Sequence, residues 1–339
     1  MLELRSPRIF AFLAGVALAV EAGTAGASKP GPRPLWSFHA GAPLSGPPGV
    51  GPDGSLVVGT LDGYVHALRP DGVFRYSYTL DGRVVGSPVV LGDGVVLAAS
   101  DKRRLYAIRP DGSLAWATTV FGGVLPPLAV DAQDRVWLRT GSGTAVAYSR
   151  RGGVVGFAKI GRAATLGPVV SGTRGVLVAS PAGELGLIGD FGKFRRTTIP
   201  QTLTNVWSYE RGFLAFGERK LSELDAELAV GWSRPDVDAL LCATPVVTRE
   251  AGEIRWLAED GGVRARVASP LGATEPSACT GASLFAVDAR GAIVHVRSNG
   301  DVVRLDSPAG ALVGLAPTRP GSLVAAYQDG RVVALKAAF

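Results

Sequence analysis

The residues of this chain that could do chemistry are few, and their spacing argues against most of what they could do. Histidines are natural zinc ligands, and the chain has His39, His66 and His295. None stands in an H-x-H or H-x-x-x-H pair, so no zinc site is expected. His66 and His295 fall at nearly equivalent places in two similar stretches, LDGYVHAL and RGAIVHVR. That equivalence puts them in separate strands of separate units, not in a converging pair. A nucleophilic serine needs a G-x-S-x-G elbow feeding a helix, whereas Gly141-Ser142-Gly143 separates two strand-like runs. Glu259 and Asp260 are the obvious local carboxylate pair, but they lie in an ordinary Asp-Gly turn. Carboxylates of the glycosidase kind need no local motif and stay open. Gly152-Gly153 precedes no helix and is not a phosphate loop.

The elements that would have to position such residues are legible as a repeat. The stretch from Ser87 to Trp116, SPVVLGDGVVLAASDKRRLYAIRPDGSLAW, contains short β-type runs split by turn residues, which read as one four-stranded antiparallel blade. Gly72, Gly112, Gly152 and Gly192 recur at a fixed spacing, each preceded by a strand-ending apolar residue: Leu68, Ile108, Tyr148, Ile188. Pro48, Pro88, Pro127 and Pro168 open the first strand of the same units. Later units are looser. Unit five spans Thr204 to Trp232; unit six is read as opening at Pro245, unit seven at Pro276, and unit eight ends at Leu335 without a fourth strand. The segment Leu35-Trp36-Ser37-Phe38 has the character of that missing strand. The expectation is therefore an all-β, eight-bladed β-propeller of four-stranded antiparallel blades, its ring closed by the N-terminal strand. Seven blades is the alternative, because unit six reads as lacking a fourth strand. Helical periodicity, which a βαβ repeat needs, is absent after residue 28.

Composition fits that class. Of 339 residues 47% are hydrophobic, and the Gly and Pro residues fall between the apolar runs as turn punctuation. The first 27 residues read as a signal peptide: Arg5 and Arg8, the apolar core Ile9 to Val20, then Ala25-Gly26-Ala27 as a cleavage site. Residues 28–339 would form the propeller domain, exported to the periplasm or secreted, with no transmembrane segment in the mature chain. An oxidising compartment favours a disulfide between Cys242 and Cys279. Counting from Pro245 and Pro276, however, puts the two cysteines about 20 Å apart along neighbouring strands, so register and compartment disagree.

The net charge of +6 is diffuse. Lys102-Arg103-Arg104 falls between the second and third strands of unit two, on the propeller face that also carries the inter-blade connectors with Arg83 and Arg162. These five are the candidate partner-binding residues. Arg219-Lys220 falls in the matching turn of unit five, while Arg69, Arg109, Arg150, Arg151 and Arg297 fall in turns of the opposite face. Nucleic acid is disfavoured by export and by the lack of aromatic residues interleaved with these cations.

The motif Pro-Val-Val, a Gly turn, Val-Val-x-Ala, Leu-Tyr-Ala-Ile, Asp-Gly and Trp resembles the pyrroloquinoline-quinone-type (PQQ-like) β-propeller repeat, with residues 87–116 its clearest copy. That superfamily includes quinoprotein dehydrogenases and BamB-like assembly factors of the periplasm. The resemblance implies that Ala67 with Tyr76, Ala107 with Trp116, and Trp36 and Trp232 dock neighbouring blades. The quinoprotein branch implies vicinal cysteines and Ca²⁺ bound by Glu, Asn and Asp. This chain has no adjacent cysteines, and its asparagines are Asn205, which could face a channel, and Asn299, in an Asn-Gly turn. Neither PQQ nor Ca²⁺ is expected. The BamB-like branch implies a non-enzymatic scaffold whose partner is another envelope protein or a polymer, without the lipid-anchor cysteine expected there. The alternative is a quinoprotein-type dehydrogenase or a carbohydrate-active enzyme with a ligand at the channel mouth.

Overall fold

The computed structural model describes residues 34–161, 163–171, 175–189, 194–272, 276–280, 283–305, 307–318 and 322–336. The expected signal peptide and Arg162 lie outside the described residues. Those described contain eight antiparallel four-stranded sheets, and none of their helices is long and apolar enough to cross a membrane. Blade 1 comprises Gly49–Val50, Leu56–Gly59, Tyr64–Leu68 and Phe74–Thr79, from the innermost strand outwards. Blade 2 repeats the order with Val89–Val90, Val96–Ala99, Arg104–Ile108 and Leu114–Thr119.

Burial follows from the radial arrangement. Second strands are covered on both faces by neighbouring blades, so Leu56–Gly59 and Val96–Ala99 are buried throughout and read as unbroken apolar runs. Outer strands splay apart, so Phe74–Thr79 alternates between half-buried and exposed. The core is accordingly not central. Clusters of buried side chains occupy the junctions, from Val57, Val65, Val96 and Ile108 between blades 1 and 2 round to Leu44, Leu56, Leu68, Val324 and Val332 between blades 8 and 1.

The ring closes as the sequence predicts. Trp36–His39 is the outer strand of blade 8 and pairs with Arg331–Lys336, Trp36 opposite Ala334 and His39 opposite Arg331. The regular spacing of turn glycines has a double cause. Gly152 has φ +81°, and a Cβ there would stand 2.7 Å from Cδ2 of Trp116, so the turn needs both left-handed backbone and a missing side chain. Trp116 packs on this turn from the outer strand of the preceding blade and donates its Nε1–H to the Arg150 carbonyl at 2.7 Å. Trp36 on Gly72, Tyr76 on Gly112 and Trp232 on Gly261 repeat the contact. These aromatics clasp blades, as the repeat resemblance implies.

Blade 6 corrects the sequence reading. Its innermost strand is Ala239–Ala243, ahead of Pro245, and Val246–Glu250 is its second. The run Leu-Leu-Cys-Ala before Pro245 is the strand; the proline that directly precedes the inner strand in blades 1 and 2, and lies within it in blades 3 and 4, here follows it. Val263–Ala268 is therefore a complete fourth strand, and the seven-blade alternative falls. The same shift removes the register objection to the cysteines. Cys242 and Cys279 lie on the innermost strands of blades 6 and 7, with Cα atoms 6.1 Å apart, and form a disulfide.

Candidate protein-binding face

One face of the ring is built from the turns joining second to third strands and from the connectors between blades. At blades 1 to 3 these are stitched together by backbone hydrogen bonds. Asp101 N–H donates to the Arg83 carbonyl at 3.0 Å, and Val120 N–H to the Arg103 carbonyl at 2.7 Å. Arg83 N–H returns to the Asp101 carboxylate at 3.1 Å. The connector 80–88, the turn 100–103 and the connector 120–124 thus form one continuous surface carrying Arg83, Lys102 and Arg103, all exposed.

Arg104, though adjacent in sequence, is engaged differently. It begins the strand Arg104–Ile108, its guanidinium lies 3.7 Å from the Asp81 carboxylate, and it stacks over the Tyr106 ring at 5.1 Å. Burial pushes the Asp81 carboxyl up, but the Tyr106 hydroxyl and the Arg104 charge bring it below the usual carboxylate range. Among the described residues, Arg83, Lys102 and Arg103 have no carboxylate within ion-pair distance.

Several cations elsewhere are neutralised. Arg69 pairs with Asp71 at 2.9 Å, Arg150 with Asp93 and, at 3.3 Å, Asp134, and Arg297 with Asp301 at 3.6 Å. In the matching turn of blade 5, Arg219 pairs with Asp238 at 2.9 Å. On the opposite face Arg109 bonds the Ser113 hydroxyl and the Leu114 carbonyl instead of a carboxylate, and Arg151 has no ion pair among the described residues, so unpaired positive charge is present on both faces.

Arg103 also has an unusual backbone. Its turn position is glycine in blades 1, 3, 4, 7 and 8, where Gly63, Gly143, Gly183, Gly291 and Gly330 all have positive φ. Arg103 holds the same left-handed conformation at φ +64°, which costs a non-glycine residue about 1 kcal/mol.

Phe121, which sequence reasoning missed, stands beside this turn with 90% of its surface exposed. Its connector is anchored on either side by Val120 and Val124, buried between blades 2 and 3. The only signal in the sequence is an aromatic residue before Gly122-Gly123, outside any strand.

The other candidate residues have structural roles. His39 is exposed and accepts the Gly41 N–H on Nδ1 at 3.0 Å. His66 sits among Phe38, Tyr64 and Phe74 at the closing junction. His295 stacks on Phe285 at 4.6 Å, in the junction between blades 7 and 8. Aligned by their turns, His295 corresponds to Ala67 rather than His66, and this one-residue offset turns the two imidazoles to opposite faces of their sheets. Glu259 pairs with Arg211 at the surface, and Asp260 accepts the Gly262 N–H at 2.9 Å. Near the channel, buried Arg139 donates to the carbonyls of Gly167, Ala164 and Pro126, joining blades 3 and 4; burial lowers its pKa.

The residues to which the quinoprotein resemblance points have other partners. The cysteines are spent in an inter-blade bridge, Asn299 is bonded to Asp301 within its own turn, and Asn205 lies two blades away, accepting the Val206 N–H. No group of three His, Cys, Asp or Glu among the described residues could hold a metal ion.

Residues 23–190 match the family model described as outer membrane protein assembly factor BamB. The fold is similar to the crystal structure of BamB from Moraxella catarrhalis, at 18% identity and a TM-score of 0.54 over 89% of this chain and 85% of that one. It is also similar to Sqt1 from Saccharomyces cerevisiae, at 11% identity and a TM-score of 0.71 over 90% of this chain and 99% of that one. At these identities the likeness is one of fold. No curated protein matches the chain. In its phased repeat, its closed ring of four-stranded blades and the match over residues 23–190, the chain is similar to the PQQ-like β-propeller family.

Proposed function

We propose that the chain is an exported, non-enzymatic scaffold that binds another protein of the cell envelope through the face bearing Arg83, Lys102 and Arg103. The observation that carries this reading is the combination of unpaired cations with a rigid, blade-anchored surface. A rigid ring can vary its turns without disturbing the junction cores, which suits a binding role. The leader-like first 27 residues and the assembly-factor description of the matching family support an envelope setting.

The test is fractionation and crosslinked affinity purification of the tagged full chain from its source cells. The expected result is a chain shortened at its N-terminus, recovered outside the cytoplasm with one stoichiometric envelope protein. Retention of the full-length chain in the cytosol, or recovery of no partner above an untagged control, would overturn the reading.

A further inference from the structure

We infer that the cluster of Phe121, Arg103, Lys102 and Arg83 is a docking point for an acidic protein segment carrying an apolar side chain. This deepens the scaffold reading above and rests on it.

Independent observations converge on the cluster. First, Phe121 is the most exposed large apolar side chain among those described, at 90% against 76% for Phe157. It is not left out by a loose loop. Val120 is fully buried and Val124 nearly so, Gly123 N–H closes the turn onto the Val120 carbonyl at 3.0 Å, and Gly141 N–H bonds the Gly122 carbonyl at 2.9 Å. The fold holds the ring out in a fixed place, so little ordering is needed when a partner covers it.

Second, the charge beside the ring is free. A Cβ at Gly123 would lie 3.6 Å from Cγ of Arg103, which places the Arg103 side chain against the Phe121 connector. Neither Arg103, Lys102 nor Arg83 has an ion-pair partner among the described residues, whereas Arg104 is held by Asp81. Third, blade 2 places an arginine where most other blades place glycine, against its backbone preference. Backbone convenience does not explain that residue; its side chain does.

An apolar anchor flanked by unpaired cations is complementary to an apolar residue flanked by Asp or Glu. A protein segment suits the site better than an anionic lipid surface. The exposed carboxylate of Asp101 lies within the cluster, bonded to the Arg83 N–H, and it would face lipid phosphates unfavourably but can accept N–H groups of a peptide.

The experiment uses the full mature chain and fluorescent peptides followed by anisotropy. The probes are GEDLFEDG, its charge-reversed form GKRLFKRG, and GEDSSEDG, which lacks the apolar pair. The acidic, apolar peptide should bind best. Phe121→Ser should weaken it about tenfold, Lys102→Glu and Arg83→Glu about threefold each, and raising salt from about 50 to about 300 mM should weaken it further. Arg103→Gly should bind the peptide more weakly yet melt no lower than wild type, which separates a contact from a loss of fold. Arg151→Glu, on the opposite face, should change nothing.

Absence of preference for GEDLFEDG, or equal binding by Phe121→Ser, overturns the inference. So does Phe121-dependent binding to vesicles of about 30% phosphatidylglycerol with none to the peptide. If wild type retains its envelope partner in the purification above and the Phe121→Ser, Lys102→Glu double variant retains it equally, the docking point is refuted while the scaffold reading stands. Failure of wild type to retain any partner refutes that reading instead.

Discussion

Glu250 is a buried carboxylate with four hydrogen bonds at a blade junction, and replacing it should loosen the ring between blades 5 and 6. It ends the second strand of blade 6 and is 3% exposed. Arg234, from the outer strand of blade 5, holds it in a fork, Nε to Oε1 at 2.6 Å and Nη2 to Oε2 at 2.8 Å. Arg255 adds a bond at 2.6 Å and Thr248 another at 2.7 Å. Glu250→Gln keeps the shape but removes the charge that two half-buried guanidinium groups depend on, and it turns an amide donor towards donors. Breaking a buried ion pair from one side costs about 3–5 kcal/mol. With a urea slope of about 3 kcal/mol/M for a chain of this size, the midpoint should fall by roughly 1–1.7 M. Glu259→Gln removes an ion pair of 3.3 Å whose side chains are 58% and 65% exposed, and should shift it by less than about 0.3 M. Acid adds a second readout. Burial pushes the Glu250 carboxyl up, but its bonds from Arg234 and Thr248 and the two arginine charges outweigh this and hold it below its ordinary value of 4.5. Its contribution is therefore complete above the ordinary glutamate range and is lost as pH falls through the lower folded value. The Gln variant should lack that step. Equal midpoints for Glu250→Gln and Glu259→Gln, or identical acid transitions in wild type and Glu250→Gln, would refute the reasoning.

The other junctions give further expected outcomes. Gly152→Ala meets both left-handed backbone and the Trp116 ring and should cost about 2–4 kcal/mol; combined with Trp116→Ala the losses should be less than additive, and strict additivity in urea melts would deny the clasp. The Cys242–Cys279 bridge spans a separation of 37 residues, which in the chain-entropy model is worth about 4 kcal/mol. Dithiothreitol should lower the melting temperature of wild type but not of a double Cys→Ala variant, and a wild-type melt indifferent to reductant would count against the bond. Burial lowers the His66 imidazole below 6.5, against the opposing charge of Asp62. Neutral His66 thus contributes stability that is present above 6.5 and lost as pH falls towards its lower folded value. His66→Phe, which fits the surrounding aromatic rings, should flatten the loss of stability on acidification through this window; parallel profiles for the two proteins would exclude His66 as its source.

What the sequence made legible has a local cause. A turn glycine must serve both backbone and a neighbouring ring, so Gly72, Gly112 and Gly152 keep phase and reveal the blade; Trp36 carries the outer-strand signature wherever it lies in the chain. Blade 6 was misread because Pro245 follows a strand instead of opening one, and a proline marks a boundary without saying on which side the strand lies. His66 and His295 look alike until their turns are aligned, because a period of two makes a single step decisive. Glu250, Arg234 and Arg255 show no pattern at all, since their meeting depends on the packing of one blade against the next. Phe121 was hidden for the converse reason: nothing in its type says that both its flanks will be buried and its ring left out.

The repeat supplies an internal comparison for the basic run, which sequence reads as uniform. Lys102, Arg103 and Arg104 differ by where the strand begins. Arg104 lies inside it and is drawn to Asp81, while Arg103 lies outside and is left with backbone strain and no counter-charge. Blade 5 repeats the strain with Arg219 at φ +59°, but there Asp238 supplies the counter-charge. If left-handed arginine were merely tolerated by these turns, both would be expected to settle on whatever carboxylate lay near. Arg103 has exposed Asp101 in its own turn and makes no ion pair with it; Asp101 accepts the Arg83 backbone N–H. The charge that distinguishes blade 2 from blade 5 is therefore one that the fold itself leaves available, beside the aromatic ring that the adjacent connector 120–124 holds in solvent.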